Sequence, residues 1–201
     1  LPSSTVQQSM MVHIQLALQS AAGTDWAVPL AQQWTQAIDR LSEGHTADAI
    51  AGARCGAQML QLLSRIWAGE YVQTELELAE LLDKARESAD KEALLFAEAM
   101  TAEVLVATGR AQTALKHSTA AMELLQEATS GSHLFGPFVL HRHLSVLLWL
   151  GEWEELQRSV ASADSPVQRT VLHSGGIADF AMGLSHLRSS DLPEAVKDFT
   201  A

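Results

Sequence analysis

The stretch EVLVATGRAQTALKHSTAAMELL, residues 103–125, places one glycine between two helical patterns and decides the fold class. Small side chains follow Gly109 at offsets of five, nine and twelve residues: Ala114, Ser118 and Ala121. These offsets fall on one face of an α-helix, and small residues there let two helix backbones approach closely. The stretch therefore predicts two packed helices joined by a tight turn at Gly109.

A turn residue between two helical patterns recurs along the chain. Gly69, Gly109, Gly151 and Ser190 fall 40, 42 and 39 residues apart, each between two stretches of helical pattern. A near-constant period of this length is typical of arrays in which each helical hairpin buries its apolar face against the next. The residues after Gly69 fit the offsets worst, so we expect the weakest repeat there.

The last unit resembles the tetratricopeptide repeat. It places a small residue, an apolar residue, the turn, an alanine and an aromatic ring in the family's order, at Gly183, Leu187, Ser190, Ala195 and Phe199. It departs from the family in its period, which is about 34 residues in tetratricopeptide repeats. The aromatic residue near the start of the first helix and a regular proline between units are also missing here.

A period near 40, with residues 103–125 and the segment HLSVLLWLGEWEEL at 143–156, resembles the degenerate helical-repeat region of large ATP-dependent LuxR-type bacterial transcriptional regulators. In those proteins the region lies between a nucleotide-binding module and a DNA-binding helix-turn-helix. The resemblance implies a non-catalytic, cytoplasmic domain that senses a small-molecule effector or a protein partner, with homo-oligomerisation also open. The alternative is a free-standing adaptor, similar to tetratricopeptide proteins, that binds a protein or peptide segment.

We therefore expect an all-α chain of stacked antiparallel hairpins, a right-handed α-solenoid similar to tetratricopeptide arrays with about ten helices. It is treated as a single helical-repeat domain over 1–201, with irregular helices in 1–89 and regular hairpins in 90–201. The chain starts without methionine and stops in mid-pattern at Ala201, so we expect a piece of a longer chain. The predicted helices are 5–22, 26–42, 46–68, 70–89, 91–108, 111–129, 138–150, 152–163, 167–189 and one from 191 onward, with a loop at 130–137. The segment 46–68, which carries Gly52 and Gly56, is either one helix or two short ones, and Gly175 and Gly176 are a possible break in 167–189.

Composition excludes several function classes. The formal net charge is −11, with 13 basic and 24 acidic residues, and the basic residues are scattered. Binding to nucleic acid draws on clustered lysine and arginine, so we expect no direct contact with nucleic acid. One cysteine, Cys55, excludes an internal disulfide and fits a reducing compartment. We find no apolar run long enough to span a bilayer, and we expect no membrane association.

One face of the predicted helix 138–150 is the candidate ligand or partner groove. Phe138, Arg142, Ser145 and Trp149 share that face, opposite the core stripe of leucines. Aromatic and arginine side chains suit stacking on a sugar ring or peptide and forked hydrogen bonds to an anion. The competing interpretation is that this face packs on a neighbouring unit.

The sequence offers no motif for catalysis, a cofactor or a metal. His141 and His143 are two residues apart, which places them on different sides of a helix, and His133 lies in the predicted loop. No phosphate-binding glycine loop or nucleophile motif is present. We therefore expect neither an enzyme nor a cofactor or metal site. Cys55 and three tryptophans are predicted as core residues, Trp26, Trp34 and Trp67.

Overall fold

The computed structural model describes residues 58–59, 61–66, 68–87, 91–127, 136–161 and 177–200, together with five single residues between 29 and 40. Within these ranges the chain is helical apart from its turns. Residues 58–59 and 61–66 form the first helical run. The helices that follow are α1 (Tyr71–Glu87), α2 (Lys91–Ala107), α3 (Ala111–Glu127), α4 (Gly136–Leu150), α5 (Trp153–Ala161), α6 (Ile177–Arg188) and α7 (Leu192–Thr200).

The all-α class is confirmed over the described residues, and most helix ends there lie within two residues of their predicted positions. The exception is α6, which is described from Ile177, whereas its predicted start at 167 lies outside the described residues. The clearest difference is α4, which begins at Gly136, two residues before the predicted start at Phe138. Pro137 falls in its first turn, where a missing backbone N–H costs no helical hydrogen bond. The predictions for Trp26, Trp34, Cys55, Trp67 and His133 lie outside the described residues, as does most of the N-terminal region.

The four residues between the helical patterns, Gly69, Gly109, Gly151 and Ser190, form the same type of turn. The backbone φ angles are 81°, 79° and 70° at Gly69, Gly109 and Gly151, and 63° at Ser190. In every case the N–H of the turn residue donates to the carbonyl three residues earlier, and the next N–H donates to the carbonyl five residues before it. This pair of bonds is the Schellman motif, which satisfies the last helical carbonyls and ends the helix. Each turn is followed at once by the next helix, so the chain reverses there.

The expectation that Gly69 heads the weakest repeat is wrong. The side chains at its offsets of five, nine and twelve residues are Thr74, Leu78 and Leu81, and none is more than 1% exposed. Leu78 and Leu81 stand where the Gly109 repeat has Ser118 and Ala121, and they are equally buried. The sequence analysis looked for small residues at these offsets. The positions after Gly69 are equivalent to those of the other repeats in burial, although their side chains are larger.

Packing extends beyond each hairpin to the next. Helix α2 contacts α1, α3 and α4, while α4 contacts α3, α5 and α6 as well as α2. Because α2 is covered from several directions, its apolar residues lie all around the helix and not on a single stripe, as Phe96, Ala97, Ala99 and Met100 show. The core therefore runs along α2 and α4.

Buried charge in α2 is compensated by its neighbours. Glu98 is almost fully buried; its carboxylate accepts a hydrogen bond of 3.1 Å from Arg86 of α1 and lies 2.6 Å from Nδ1 of His117 on α3. A buried carboxylate is costly unless paired. Glu98 therefore ties three successive helices together.

Among the described residues, no helix is long and apolar enough to cross a membrane.

The shared turn predicts opposite effects for two substitutions. Gly109→Ala should lower the free energy of unfolding by about 1 kcal/mol, because an L-residue is strained at positive φ. Its added methyl group meets no atom within 4 Å, so backbone strain is the only native-state cost. Ser190→Gly removes the same strain and should raise stability by about 0.5 kcal/mol.

Urea unfolding of both variants measures these differences. Equal stability of Gly109→Ala and the wild type would show that the left-handed turn does not limit the fold.

Candidate functional site

The predicted stripe on α4 is divided between two environments. Phe138 is buried, and its ring stacks on Phe96 of α2 with centroids 4.8 Å apart and an interplanar angle of 10°. Ser145 is half-buried and donates a 2.8 Å hydrogen bond to the carbonyl of His141 one turn earlier. Phe138 is thus used in packing against α2, and Ser145 is bonded to the backbone of its own helix.

Arg142 is held in the same contact between α2 and α4. Its guanidinium carbon lies 4.6 Å from the centroid of the Phe138 ring, and its Nε pairs with the carboxylate of Glu103 on α2. The side chain of Arg142 is 12% exposed and that of Glu103 is 25% exposed. The arginine therefore joins two hairpins and is not presented to solvent as a ligand-binding fork.

Trp149 is the one member of the stripe that projects into solvent, with 74% of its surface exposed. Phe138 and Arg142, in contrast, lie against α2. The structure thus places Phe138 and Arg142 against α2, bonds Ser145 within α4 and exposes Trp149.

The structure has a concave surface at a different place from the predicted stripe. A cavity of about 940 Å³ opens between α3 and α5, with α4 contributing His143 and Leu147 to its wall. None of the four stripe residues lines it. Helix α3 contributes Leu115, Thr119, Met122, Glu123 and Gln126 to the lining. The region of α5 contributes Glu152, Trp153, Glu154, Glu155, Arg158 and Ser159, and the end of α6 contributes Arg188. We call this cavity the α3–α5 groove.

His143 is the buried polar residue of this groove, being only 6% exposed. Its Nδ1 lies 3.1 Å from Oγ of Ser118, and the Ser118 hydroxyl donates to the carbonyl of Leu115 at 3.2 Å. Ser118 and His143 thus share a hydrogen bond that joins α3 to α4 inside the groove. Burial lowers the pKa of His143, opposed by the nearby carboxylate of Glu155, and keeps the ring neutral.

The charged residues of the groove have different partners. Arg158 pairs with Glu155 at 2.7 Å, and the Arg188 guanidinium carbon lies 5.2 Å from the ring centroid of Trp153. Glu123, Glu152 and Glu154 also line the groove, and none of these three carboxylates forms an ion pair within the described part of the chain. The groove therefore combines an apolar floor, a neutral histidine and an excess of negative charge.

Sequence reasoning missed this groove because two successive hairpins form it. The only signal in the sequence is the position of the lining residues relative to the turns. Most of those around α5 follow Gly151 directly, and those of α3 lie ten or more residues after Gly109, apart from Leu115. No local motif joins these sets. Only the packing of one hairpin against the next brings them together.

Comparisons with known proteins found nothing similar: the chain matches no protein-family model, no curated protein and no solved structure. Its class must therefore be argued from its own geometry.

Two substitutions test the division of the stripe. Trp149→Ala should change the free energy of unfolding by less than about 0.5 kcal/mol, because an exposed side chain makes few native contacts. Arg142→Ala should cost about 2–3 kcal/mol, because Glu103 then loses its partner. Chemical denaturation measures both, and Arg142→Ala in a Glu103→Gln background is the matched control, with a smaller expected loss. A destabilising Trp149→Ala, or a neutral Arg142→Ala, would contradict this placement.

The stability of the fold should fall on acidification because of His141. Burial, reinforced by the adjacent Arg142 guanidinium, lowers the pKa of His141 to about 4. An unfolded imidazole titrates near 6.5, so below that pH the unfolded state binds more protons than the folded state. Stability is retained above pH 6.5 and falls towards pH 4, by about 2–3 kcal/mol from this group.

Urea unfolding from pH 7 to pH 4 measures this loss against His141→Gln as the control. The variant should show a shallower decline, with the part due to His143 remaining. Identical pH profiles for the two proteins would exclude His141 as the cause.

Proposed function

We propose that this chain is a non-catalytic, ligand- or partner-sensing helical-repeat domain of a bacterial transcriptional regulator, built as a right-handed array similar to tetratricopeptide repeats. The four equivalent Schellman turns support the repeat. Contacts between alternate helices, α2 with α4 and α4 with α6, support stacking of successive hairpins. The regulator assignment rests on the resemblance of residues 103–125 and 143–156 to the LuxR-type repeat region.

The observation that carries the proposal is the α3–α5 groove. Its walls come from two different hairpins, α2–α3 and α4–α5. Its size, about 940 Å³, falls in the range of pockets that hold small molecules. A ligand that contacts both walls binds the arrangement of the two hairpins, which is what a sensory domain requires. On this view the effector acts in the cytoplasm, and DNA contact belongs to another part of the regulator.

An adaptor that binds a protein segment is the second candidate. It is favoured by apolar side chains exposed on α6 and α7, which include Phe180, Leu187, Val196 and Phe199, each between 45% and 62% exposed. Contiguous exposed apolar surface is typical of contacts between proteins. The two candidates differ in where binding occurs, at the groove or at α6–α7.

A thermal-shift screen of amino acids, sugars, nucleotides and organic acids on the 201-residue chain tests the groove. A ligand at a hundred times its Kd should stabilise the fold by about 2.7 kcal/mol. Thr119→Trp places an indole in the groove and should abolish the shift. Thr113→Trp is the matched control, since Thr113 is an exposed threonine of the same helix outside the groove, and should retain it.

The sensing proposal fails if every shift survives in Thr119→Trp as it does in Thr113→Trp. The regulator assignment has its own check in the gene that encodes this chain. A nucleotide-binding module upstream and a helix-turn-helix downstream are expected, and a reading frame that encodes residues 1–201 alone would instead favour the adaptor.

A further inference from the structure

We propose that the exposed apolar face of α6 and α7 is a dimer interface, which is covered in solution by the same face of a second copy of this chain. Five large apolar side chains form the face, and each is between 45% and 62% exposed: Phe180, Leu187, Leu192, Val196 and Phe199. None of them lines the α3–α5 groove, so the inference goes beyond the sensing function and does not depend on it.

The face is continuous across the two helices. On α6, Phe180 and Leu187 are seven residues apart. On α7, Leu192, Val196 and Phe199 follow one another at spacings of four and three residues. Such spacings place each set in one stripe along its helix. The two stripes meet where the ring centroids of Phe180 and Phe199 lie 6.0 Å apart. The five side chains therefore form one apolar surface.

The face has the position in the repeat at which a preceding hairpin contacts the next one. Val196 and Phe199 lie six and nine residues after the turn of the last hairpin. In the hairpin α2–α3 the same two positions hold Leu115 and Ser118. Leu115 packs against a cluster of apolar residues from α4, α5 and α6, and Ser118 is hydrogen-bonded to His143 of α4. Both positions there contact the hairpin that follows.

The hairpin α4–α5 repeats this arrangement. Six residues after its turn, Gln157 donates a 2.8 Å hydrogen bond to Ser185 of α6. Nine residues after the turn, Val160 packs against the apolar cluster to which Ala178 and Ala181 of α6 belong. In both hairpins a helix of the next unit thus contacts these positions, whereas the same positions of α7 are exposed. The face therefore has the geometry of a surface on which a helix packs.

A second copy fits this face because the face matches itself. Eight large apolar side chains are exposed in the described part of the chain, and the three outside the face are Val72, Leu76 and Trp149. Within that part, no other surface groups as many of them. A two-fold axis brings two identical faces together and closes the assembly at two copies. The five side chains are uncharged, so two chains of net charge −11 meet there without bringing like charges into contact.

The area of the face predicts a reversible dimer. The five side chains expose on the order of 450 Å² of apolar surface, in the range of the largest patches on monomeric proteins, which are often functional. Two copies would bury on the order of 900 Å² from these side chains alone, and the polar residues beside them would bring the total towards the roughly 1,200 Å² of the smallest stable interfaces. The dimer is therefore expected to form and dissociate with concentration.

Sedimentation velocity of the 201-residue chain at concentrations from about 5 to about 500 µM tests the proposal. We expect the apparent mass to rise from that of one copy to that of two and to stay there. Raising sodium chloride from about 50 to about 500 mM should strengthen the dimer or leave it unchanged, because salt screens the repulsion between two acidic chains. A dimer held by ion pairs would weaken instead, which would contradict an apolar interface.

Two matched pairs of variants locate the interface. Val196→Lys should raise the Kd of the dimer by roughly tenfold or more, because it places an ammonium group in the apolar contact. Val72→Lys, at a 79% exposed valine of α1, is its control and should leave Kd unchanged. Leu192→Lys and Leu76→Lys form the second pair, at leucines that are 59% and 64% exposed. Every variant gains one positive charge, so a difference within a pair does not come from general repulsion. Circular dichroism verifies that all four are folded.

The possible failures are distinct. A chain that stays monomeric up to the highest concentration overturns the proposal, and leaves the face to another protein, as an adaptor requires, or to a further hairpin of the same polypeptide. Equal effects within each pair of variants place the contact elsewhere and overturn it as well, as does growth beyond two copies. A metabolite whose thermal shift is lost in Thr119→Trp upholds the sensing function whether or not the dimer forms.

Discussion

The left-handed residue at each hairpin turn is the constraint on which the rest of the fold depends. A φ angle between 63° and 81° at Gly69, Gly109, Gly151 and Ser190 ends one helix and starts the next in the opposite direction. Because each turn has the same hydrogen bonds, the residues around it face each other in the same register. The residues seven before and five after the turn are buried in every hairpin, as Ala102 with Ala114 and Leu144 with Leu156 show. At the last turn the pair is Gly183 with Ala195.

Packing between hairpins then depends on a few buried charges. Helix α2 is enclosed, yet it carries Glu98 and Glu103, whose desolvation would oppose folding without compensation. Glu98 is paired from α1 and α3, and Glu103 is paired by Arg142 of α4. These pairs therefore join α2 to α1, α3 and α4 through named side chains, in addition to the apolar contacts.

The turns and the buried faces were predictable from the sequence because they are local. Gly109 and the small residues behind it lie within one hairpin, and helical periodicity relates them directly. Periodicity also placed Phe138, Arg142 and Trp149 on one face of α4, but it contains no information on what lies opposite. The partner of Arg142 is Glu103, 39 residues away, whereas Trp149 is 74% exposed. The groove could not be predicted for the same reason, since its lining residues, such as Glu123 and Glu154, come from two different hairpins.

This arrangement has a consequence for how a sensing domain would respond. On the proposed function, a ligand in the groove touches α3 on one side and α5 on the other, while Arg188 extends the wall to α6. Such a ligand binds best at one separation of the hairpins, and its binding energy favours that separation over others. The contact of α2 with α4 is made by Phe96, Phe138 and the Glu103–Arg142 pair. On the proposed function, a ligand would therefore act through the α3 and α5 walls of the groove and not through that contact.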